Sequence, residues 1–394
     1  MKKFGQILTV AICLTVALVG CIKEESYKVE KALLTVDLTR GAASSQQQGD
    51  RIEDVMIWAF RCKLDDATGQ PSEVQEAATG WRYQQNLNTY QNISLHVELP
   101  ICVGEQDYIV IAVLNTEAFG ALSKTLGSNT TYNELASTVF DANKGAAFWQ
   151  TYPDDSGLTP ELMPISNWKT MTIKSTNTHP NNCYHLTMPV YRAVAKAQLY
   201  MNTSSDKFAV TVTDAKVISS RAPVNGGVFT GNAKTVDGAN GEKSMQGNSD
   251  ESVDLPNPLG TLNYANDVSK QMWNTATNAW SNVTVSAVAE NGDVNDDYTW
   301  VGSTFLYENG AALTETGYDT PPTSNGGYYM QVMYDVTVSG KTESHTKYVP
   351  LPATVRNHDY TVKATVEQAV NGHLVINYVV TEWETKTIDV PPFN

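Results

Sequence analysis

The chain has 394 residues and a formal charge of −15, with 41% hydrophobic and 18% charged residues. A surface this acidic would repel a phosphate backbone, and no basic patch with interleaved aromatics occurs, so nucleic acid is excluded as a partner. At about 100 to 200 residues per domain the length suits two domains, and the abundance of Thr, Asn, Val and Tyr favours ordered β structure over disorder.

The N-terminus carries Lys2 and Lys3 and then an apolar run over 7–19. That run is too short and wrongly flanked to span a bilayer, and it reads as a secretion signal. It ends in Leu18-Val19-Gly20-Cys21, which resembles the bacterial lipobox. The resemblance implies cleavage after residue 20 and acylation of Cys21 with palmitate-type chains, two or more of which give stable membrane anchoring. Ile22-Lys23-Glu24-Glu25 is similar to the lysine-plus-acidic signal that sends Bacteroidetes lipoproteins to the cell surface. The expected location is therefore the outer membrane, facing outward.

The first strand is expected over 32–38, where Ala32, Leu34, Val36 and Leu38 alternate with Leu33, Thr35 and Asp37. A polar linker follows, "GAASSQQQGD", bounded by Arg40 and Arg51. Further strands are expected over 55–60, 93–99 and 108–114, with one short helix over 132–141 that Asn133 would cap. Beyond it, strands are expected over 195–201, 208–218, 283–288, 328–338, 360–367 and 374–380. The stretches 230–260 and 310–327 read as long polar loops. Many short strands between Gly, Asn, Asp and Pro turns argue for an all-β fold of two antiparallel β-sandwich domains, because an α/β fold would need a helix between successive strands. The expected division is a signal peptide over 1–20, tether, first strand and linker over 21–51, an N-terminal sandwich over 52–190 and a C-terminal sandwich over 191–394.

The residues offer little catalytic chemistry. Six histidines lie at 96, 179, 185, 345, 358 and 373 without an HExxH or His-x-His arrangement, and no GxSxG, P-loop or GxGxxG occurs. The expectation is a non-enzymatic protein with no cofactor and no metal. Asp293, Asn295 and Asp297 have the alternate spacing of a calcium loop, but Tyr298 stands where the loop needs glycine and Thr304 where it needs glutamate. The mature cysteines Cys62, Cys102 and Cys183 form no CxxC and no disulfide framework, and buried thiols are expected, though one bridge stays open. Eight tryptophans suit core packing, while Trp273 and Trp280 in "MWNTATNAW" are the pair to consider as a glycan contact.

Several patterns together resemble the Bacteroidales fimbrillin superfamily, the subunits and accessory proteins of type V pili. They are "YIVIAVLNT" over 108–116, the turn Met163-Pro164-Ile165-Ser166, "VYRAVAKAQLYM" over 190–201, "VRNHDYTVKATV" over 355–366 and "GHLVINYVVTEWE" over 372–384. The loop over 230–260 has no counterpart. The resemblance implies two transthyretin-like sandwiches, made as a lipoprotein and carried to the surface. It also implies removal of the lipidated first strand by an arginine-specific or trypsin-like protease, and polymerisation by a C-terminal strand of a neighbouring subunit entering the vacated groove. The partners would be other fimbrial subunits, the outer membrane before processing, and a host or bacterial surface ligand. Arg40 is the preferred cleavage residue and Arg51 the second, since Arg51 stands directly against the next strand. The donor strand would be 374–380 or the segment Thr387, Ile388, Asp389 and Val390, which lies nearer the free end. Two other roles stay open: a pilus anchor or assembly protein that keeps its lipid, and a surface glycan-binding lipoprotein.

Overall fold

The computed structural model describes residues 31–39, 51–100 apart from 66, 68, 70 and 90, 104–116, 122–140, 164–174, 183–228, 234–237, 243–246, 263–272, 282–287, 298–311, 318–322, 326–368 and 373–382. The chain is all-β, with one short helix among the described residues. In the first half, β1 (Lys31–Thr39), β2 (Val55–Leu64), β3 (Pro71–Ser72), β4 (Gly80–Gln84), β5 (Ile93–Pro100) and β6 (Glu105–Leu114) precede α1 (Tyr132–Ala136). After it come β7 (Val139–Phe140), β8 (Ile165–Lys174), β9 (Cys183–Pro189) and β10 (Tyr191–Arg192). A three-stranded sheet of order β5-β1-β9 packs on a sheet of order β10-β8-β6-β2-β3, with β4 also paired to β2.

The sequence pattern of each strand follows from how many of its faces are covered. In β5 Ile93, Leu95, Val97 and Leu99 are buried while Ser94, His96 and Glu98 are exposed, the period-two signature of one wet face. In β2 the run Val55 to Phe60 is buried throughout. Its Val55, Ile57 and Ala59 meet the sheet of β1, and its Met56, Trp58 and Phe60 enter a second core on the opposite side.

The helix starts two residues earlier than Asn133 would place its cap. Thr131 is the N-cap: its hydroxyl accepts from the Glu134 N–H at 3.2 Å, and the Glu134 carboxylate accepts from the Thr131 N–H at 3.0 Å. This reciprocal pair satisfies two donors that a bare helix end would leave orphaned. The helix ends at Ala136, where the hydroxyls of Ser137 and Thr138 donate to the carbonyls of Asn133 and Glu134, each at 2.7 Å.

The second half comprises β11 (Ala195–Thr203), β12 (Ala209–Pro223), β13 (Gly226–Gly227), β14 (Lys234–Asp237), β15 (Lys243–Gln246) and β16 (Tyr264–Gln271). It continues through β17 (Val283–Val285), β18 (Thr299–Leu306), β19 (Tyr329–Val338), β20 (Lys341–Pro350), β21 (His358–Gln368) and β22 (His373–Glu382). One sheet has the order β18-β11-β21-β22 and the other β16-β12-β19-β20, with β17 also on β12. The pair β14 and β15 forms a separate antiparallel ribbon inside the stretch 230–260 that the sequence read only as a polar loop.

The two halves share one topology. The first strand of each, β1 or β11, lies between an antiparallel neighbour, β5 or β18, and a parallel one, β9 or β21. These two parallel pairings are departures from the antiparallel pattern expected from the turns. The second strand of each half, β2 or β12, pairs at its C-terminal end with β3 or β16 and at its N-terminal end with β4 or β17. On its other side it pairs with β6 or β19, which in turn pairs with β8 or β20. Within the two main sheets of the second half, β22 has no counterpart in the first half among the described residues; it lies on the outer edge of β21.

The halves meet over this second core of β2. Phe60, Ile111, Tyr132 and Phe140 of the first half pack with Val228, Phe305 and Tyr307 of the second. A two-stranded bridge joins β7 to β13, and Gly226 is required there because a Cβ would stand 2.7 Å from the Phe140 ring. Arg356, 2% exposed, donates from Nη1 to the Val228 carbonyl at 3.1 Å and from Nη2 to the Gly227 carbonyl at 2.6 Å and the Glu308 carboxylate at 2.8 Å. Asn357, at φ 56°, accepts from the Arg192 N–H and guanidinium and donates its own N–H to the Val194 carbonyl at 2.8 Å. The motifs around Arg192 and around Arg356-Asn357 thus hold the two halves together.

Candidate functional site

The candidate site is the slot that β1 occupies and the chain that leaves it. Leu34 and Val36 are fully buried, and Ala32 and Leu38 are 2% and 1% exposed. They project into the core between the two sheets, as the alternation predicts. Each large aliphatic side chain buried there contributes roughly 1.5 to 3 kcal/mol. The other face carries polar cross-strand contacts. Lys31 pairs with Glu98, the Thr35 hydroxyl lies 3.1 Å from Nδ1 of His96, and the Ser94 hydroxyl donates to Asp37 at 2.6 Å. Nδ1 of His185 on β9 lies 3.8 Å from the same Asp37 carboxylate.

Because β1 is a central strand, it is paired over Lys31 to Leu38 with β5 and over Leu33 to Thr39 with β9. Its departure would open a gap flanked by two rows of unpaired backbone groups and floored by the apolar residues of β2 and β6. A single incoming strand with alternating apolar side chains would satisfy both rows at once.

Of the two candidate cleavage residues, Arg51 lies within the described residues and Arg40 outside them. The Arg51–Ile52 peptide is held on every side. The Arg51 carbonyl accepts from Nδ2 of Asn115 at 2.9 Å, and its guanidinium pairs with Glu53 at 2.8 Å. Ile52, 1% exposed, exchanges two backbone bonds with Thr89 at 2.8 and 3.1 Å. Asn115 sits at φ 63°, in the left-handed region that Asn tolerates, and its Oδ1 accepts from the Glu53 N–H at 2.9 Å. Thr116 donates its N–H and its hydroxyl to Asp54 at 2.7 and 2.5 Å. The Asn-Thr that closes the strand motif is therefore a clamp on residues 51–54, a role the sequence pattern alone does not disclose. A protease must draw its substrate into an extended, unpaired form, so cleavage after Arg51 would first require this clamp to open.

Several other expected residues lie outside the described ones: Cys21, Thr387, Ile388, Asp389, Val390, Trp273, Trp280, Cys102 and the acidic run over 290–297. The alternative donor, 374–380, falls within β22, where Leu374, Ile376, Tyr378 and Val380 pair with Val366, Ala364, Val362 and Tyr360 of β21. Those four β21 residues are all core residues. Among the described tryptophans, Trp58 is buried and donates from Nε1 to the Gly127 carbonyl at 2.9 Å, and Trp168 is buried. Trp81 is 38% exposed and stacks on Tyr83 with ring centroids 6.2 Å apart. Cys62 is a buried free thiol, pushed up to about 12 by desolvation and, secondly, by the Asp107 carboxylate. Cys183 is exposed, against the expectation of a buried thiol, because it stands on the wet face of β9 with His185 and Thr187, while Leu186 and Met188 face the core. Among the described residues no group of three or more His, Cys, Asp or Glu is gathered, and no helix is long and apolar enough to cross a membrane.

No family model matches the chain, and no curated protein matches it at a significant level. Solved structures that it resembles include fimbrial and adhesion proteins. A protein named for cell adhesion from Bacteroides eggerthii is 14% identical at a TM-score of 0.48, over 91% of this chain and 98% of that one. The tip fimbrial protein Mfa3 from Porphyromonas gingivalis, with a C-terminal truncation, is 11% identical at 0.45, over 90% and 100%. The fimbrilin FimA from the same organism is 11% identical at 0.45, over 90% and 99%.

Proposed function

We propose that the chain is a structural or tip subunit of a cell-surface fimbria with a role in adhesion, assembled by strand exchange after proteolytic loss of its lipidated first strand. The observation that carries this reading is the position of β1. It is a central strand with an apolar face, yet it is followed directly by the linker bounded by Arg40 and Arg51. A strand needed only for stability has no reason to precede such a link; a plug has. The fimbrial and adhesion names of the similar structures fit this reading, but the proposal rests on β1 and on the sequence motifs rather than on that likeness.

In this scheme Cys21 carries the acyl chains, the chain crosses to the cell surface as an outer-membrane lipoprotein, and a cut after Arg40 frees 21–40 with its lipid. The clamp on residues 51–54 keeps the body's first permanent strand in place while this happens. A strand from a neighbouring subunit then fills the slot. Both candidate donors remain in play, β22 and the segment Thr387 to Val390.

N-terminal sequencing of the protein recovered from cells tests the proposal. A first residue of Gly41, together with oligomer ladders, is the expected result. Intact, lipidated monomer would overturn it in favour of a pilus anchor or assembly protein.

A further inference from the structure

The first half has a second place where a strand could add: the outer edge of β9, which among the described residues pairs with β1 alone. In the second half the equivalent edge, that of β21, is covered by β22. In the first half no strand covers it among the described residues, and three side-chain features take the strand's place. The Val190 N–H donates inward to the Thr39 carbonyl, so by strand alternation the backbone groups of residues 189, 187 and 185 point outward. Residue 189 is proline and has no N–H to offer. Its carbonyl accepts from Nδ2 of Asn167 at 2.7 Å, and the carbonyl of Thr187 accepts from Nζ of Lys169 at 3.2 Å. Both donors stand on β8, the strand of the facing sheet nearest that edge. Farther along, the Tyr184 hydroxyl donates to the Lys174 carbonyl at 2.9 Å and ties β9 to the other end of β8.

The opposite flank of the sandwich is closed by other means. At Gly80 a Cβ would stand 2.9 Å from the Glu98 carbonyl oxygen, so the missing side chain is what lets β4 run against β5 there.

We infer that Asn167, Lys169 and Pro189 seal the β9 edge against strand addition and so restrict strand entry in the first half to the β1 slot. An open sheet edge accepts any extended chain with little discrimination, and natural proteins blunt such edges with lysine, proline or covering groups. Here the blunting consists of occupied acceptors and a missing donor on the β9 side of the slot. The three residues thus determine specificity: they exclude a wrong docking position and leave the right one. The inference sharpens the strand-exchange reading without depending on it, since the β9 edge is sealed whether or not β1 is ever removed.

The test uses the uncut full chain and a fluorescent peptide of residues 373–382, HLVINYVVTE, as the probe, read by polarisation. Asn167→Ala/Lys169→Ala, with β1 in place, is expected to bind the peptide at least tenfold more tightly than the uncut wild type. Pro189→Ala, which restores a donor, is expected to add to the gain. Lys169→Met, which keeps the packing of the stem, serves where the double variant does not fold. Equal binding by the uncut wild type and the folded variants overturns the inference. A parallel arm measures the peptide on wild-type protein from which β1 has been cut and removed. Binding there without gain in the uncut variants sinks the edge seal and leaves the proposed function standing. Gain in the uncut variants without binding there does the reverse.

Discussion

If β1 is a plug held by its apolar face, shaving that face should loosen it in proportion to the buried apolar surface removed. Leu34 is fully buried between the sheets, whereas Leu33, next to it, points to the other face and is half-buried. Replacing a buried Leu by Ala costs about 2 to 5 kcal/mol, depending on how far the cavity collapses. After the linker is cut, β1 is held without a covalent bond, and that cost converts to about a 30-fold to several-thousand-fold weaker hold on the strand. Leu33→Ala should change it by about threefold or less, as surface substitutions do. The assay replaces 41–50 with a sequence cut by one specific protease, nicks the protein, and follows release of the β1 peptide by size exclusion and mass spectrometry. Leu34→Ala should release β1 far sooner than the wild type, and Leu33→Ala at nearly the wild-type rate. Equal release by the two variants would refute the claim that one face of β1 provides the hold.

Arg40→Ala is expected to leave the lipidated precursor uncut, whereas Arg51→Ala should still yield a mature protein beginning at Gly41; sequencing the surface protein checks both. Arg356→Met should lower stability by about 3 to 5 kcal/mol, because the buried Glu308 carboxylate loses the guanidinium that balances its charge, and adding Glu308→Gln should recover part of the loss in thermal melts. Burial pushes the Tyr360 phenol up to about 12 from an ordinary 10, outweighing the Val355 N–H that it accepts. The folded state favours the neutral form, so this contribution is complete below pH 10 and is lost as pH rises through 12. Alkaline titration should show loss of β circular dichroism within that window, with phenolate absorbance from buried tyrosines appearing alongside it; ionisation of every tyrosine in a chain that stays folded would refute the assignment. Truncation before residue 373 should leave a cooperatively folded protein with a lowered melting midpoint, because the described strands of the first half show the same arrangement standing without an equivalent of β22.

The sequence discloses what period-two patterning can disclose. β5 alternates cleanly because one of its faces is wet, and in β1 the apolar face of Ala32, Leu34, Val36 and Leu38 is readable residue by residue although Thr35 on the other face is buried too. β2 and β6 are readable as strands but not as strands covered on both sides, since a continuous apolar run does not say what covers its second face. The parallel pairings of β1 with β9 and of β11 with β21 join residues some 150 positions apart, and no local signal reports them. The same limit hides the clamp. Asn115 and Thr116 stand in the sequence as the end of a strand motif, but their grip on 51–54 exists only once β6 lies beside β2. The sequence favours Arg40 because Arg51 abuts a strand; the structure adds that the Arg51 carbonyl and the Ile52 N–H are both already bonded.

The shared topology of the halves bears on why one strand and not another would be exchangeable. β1 and β11 occupy equivalent slots, each between one antiparallel and one parallel neighbour, each with its apolar face in a sandwich core. Pairing therefore does not distinguish them, and neither does burial: Leu34 and Val36 in one, Ala197, Leu199 and Met201 in the other, are all fully buried. Connectivity does. One cut within 40–50 parts β1 from every strand that follows it. β11 continues from β10 through 193–194 and into β12 through 204–208, and both joints are pinned, Val194 by the Asn357 N–H and Ser204 by the Val366 carbonyl. No single cut frees it. The fold thus provides the same slot twice, and under the proposed strand exchange the chain's path through it would open only the first one.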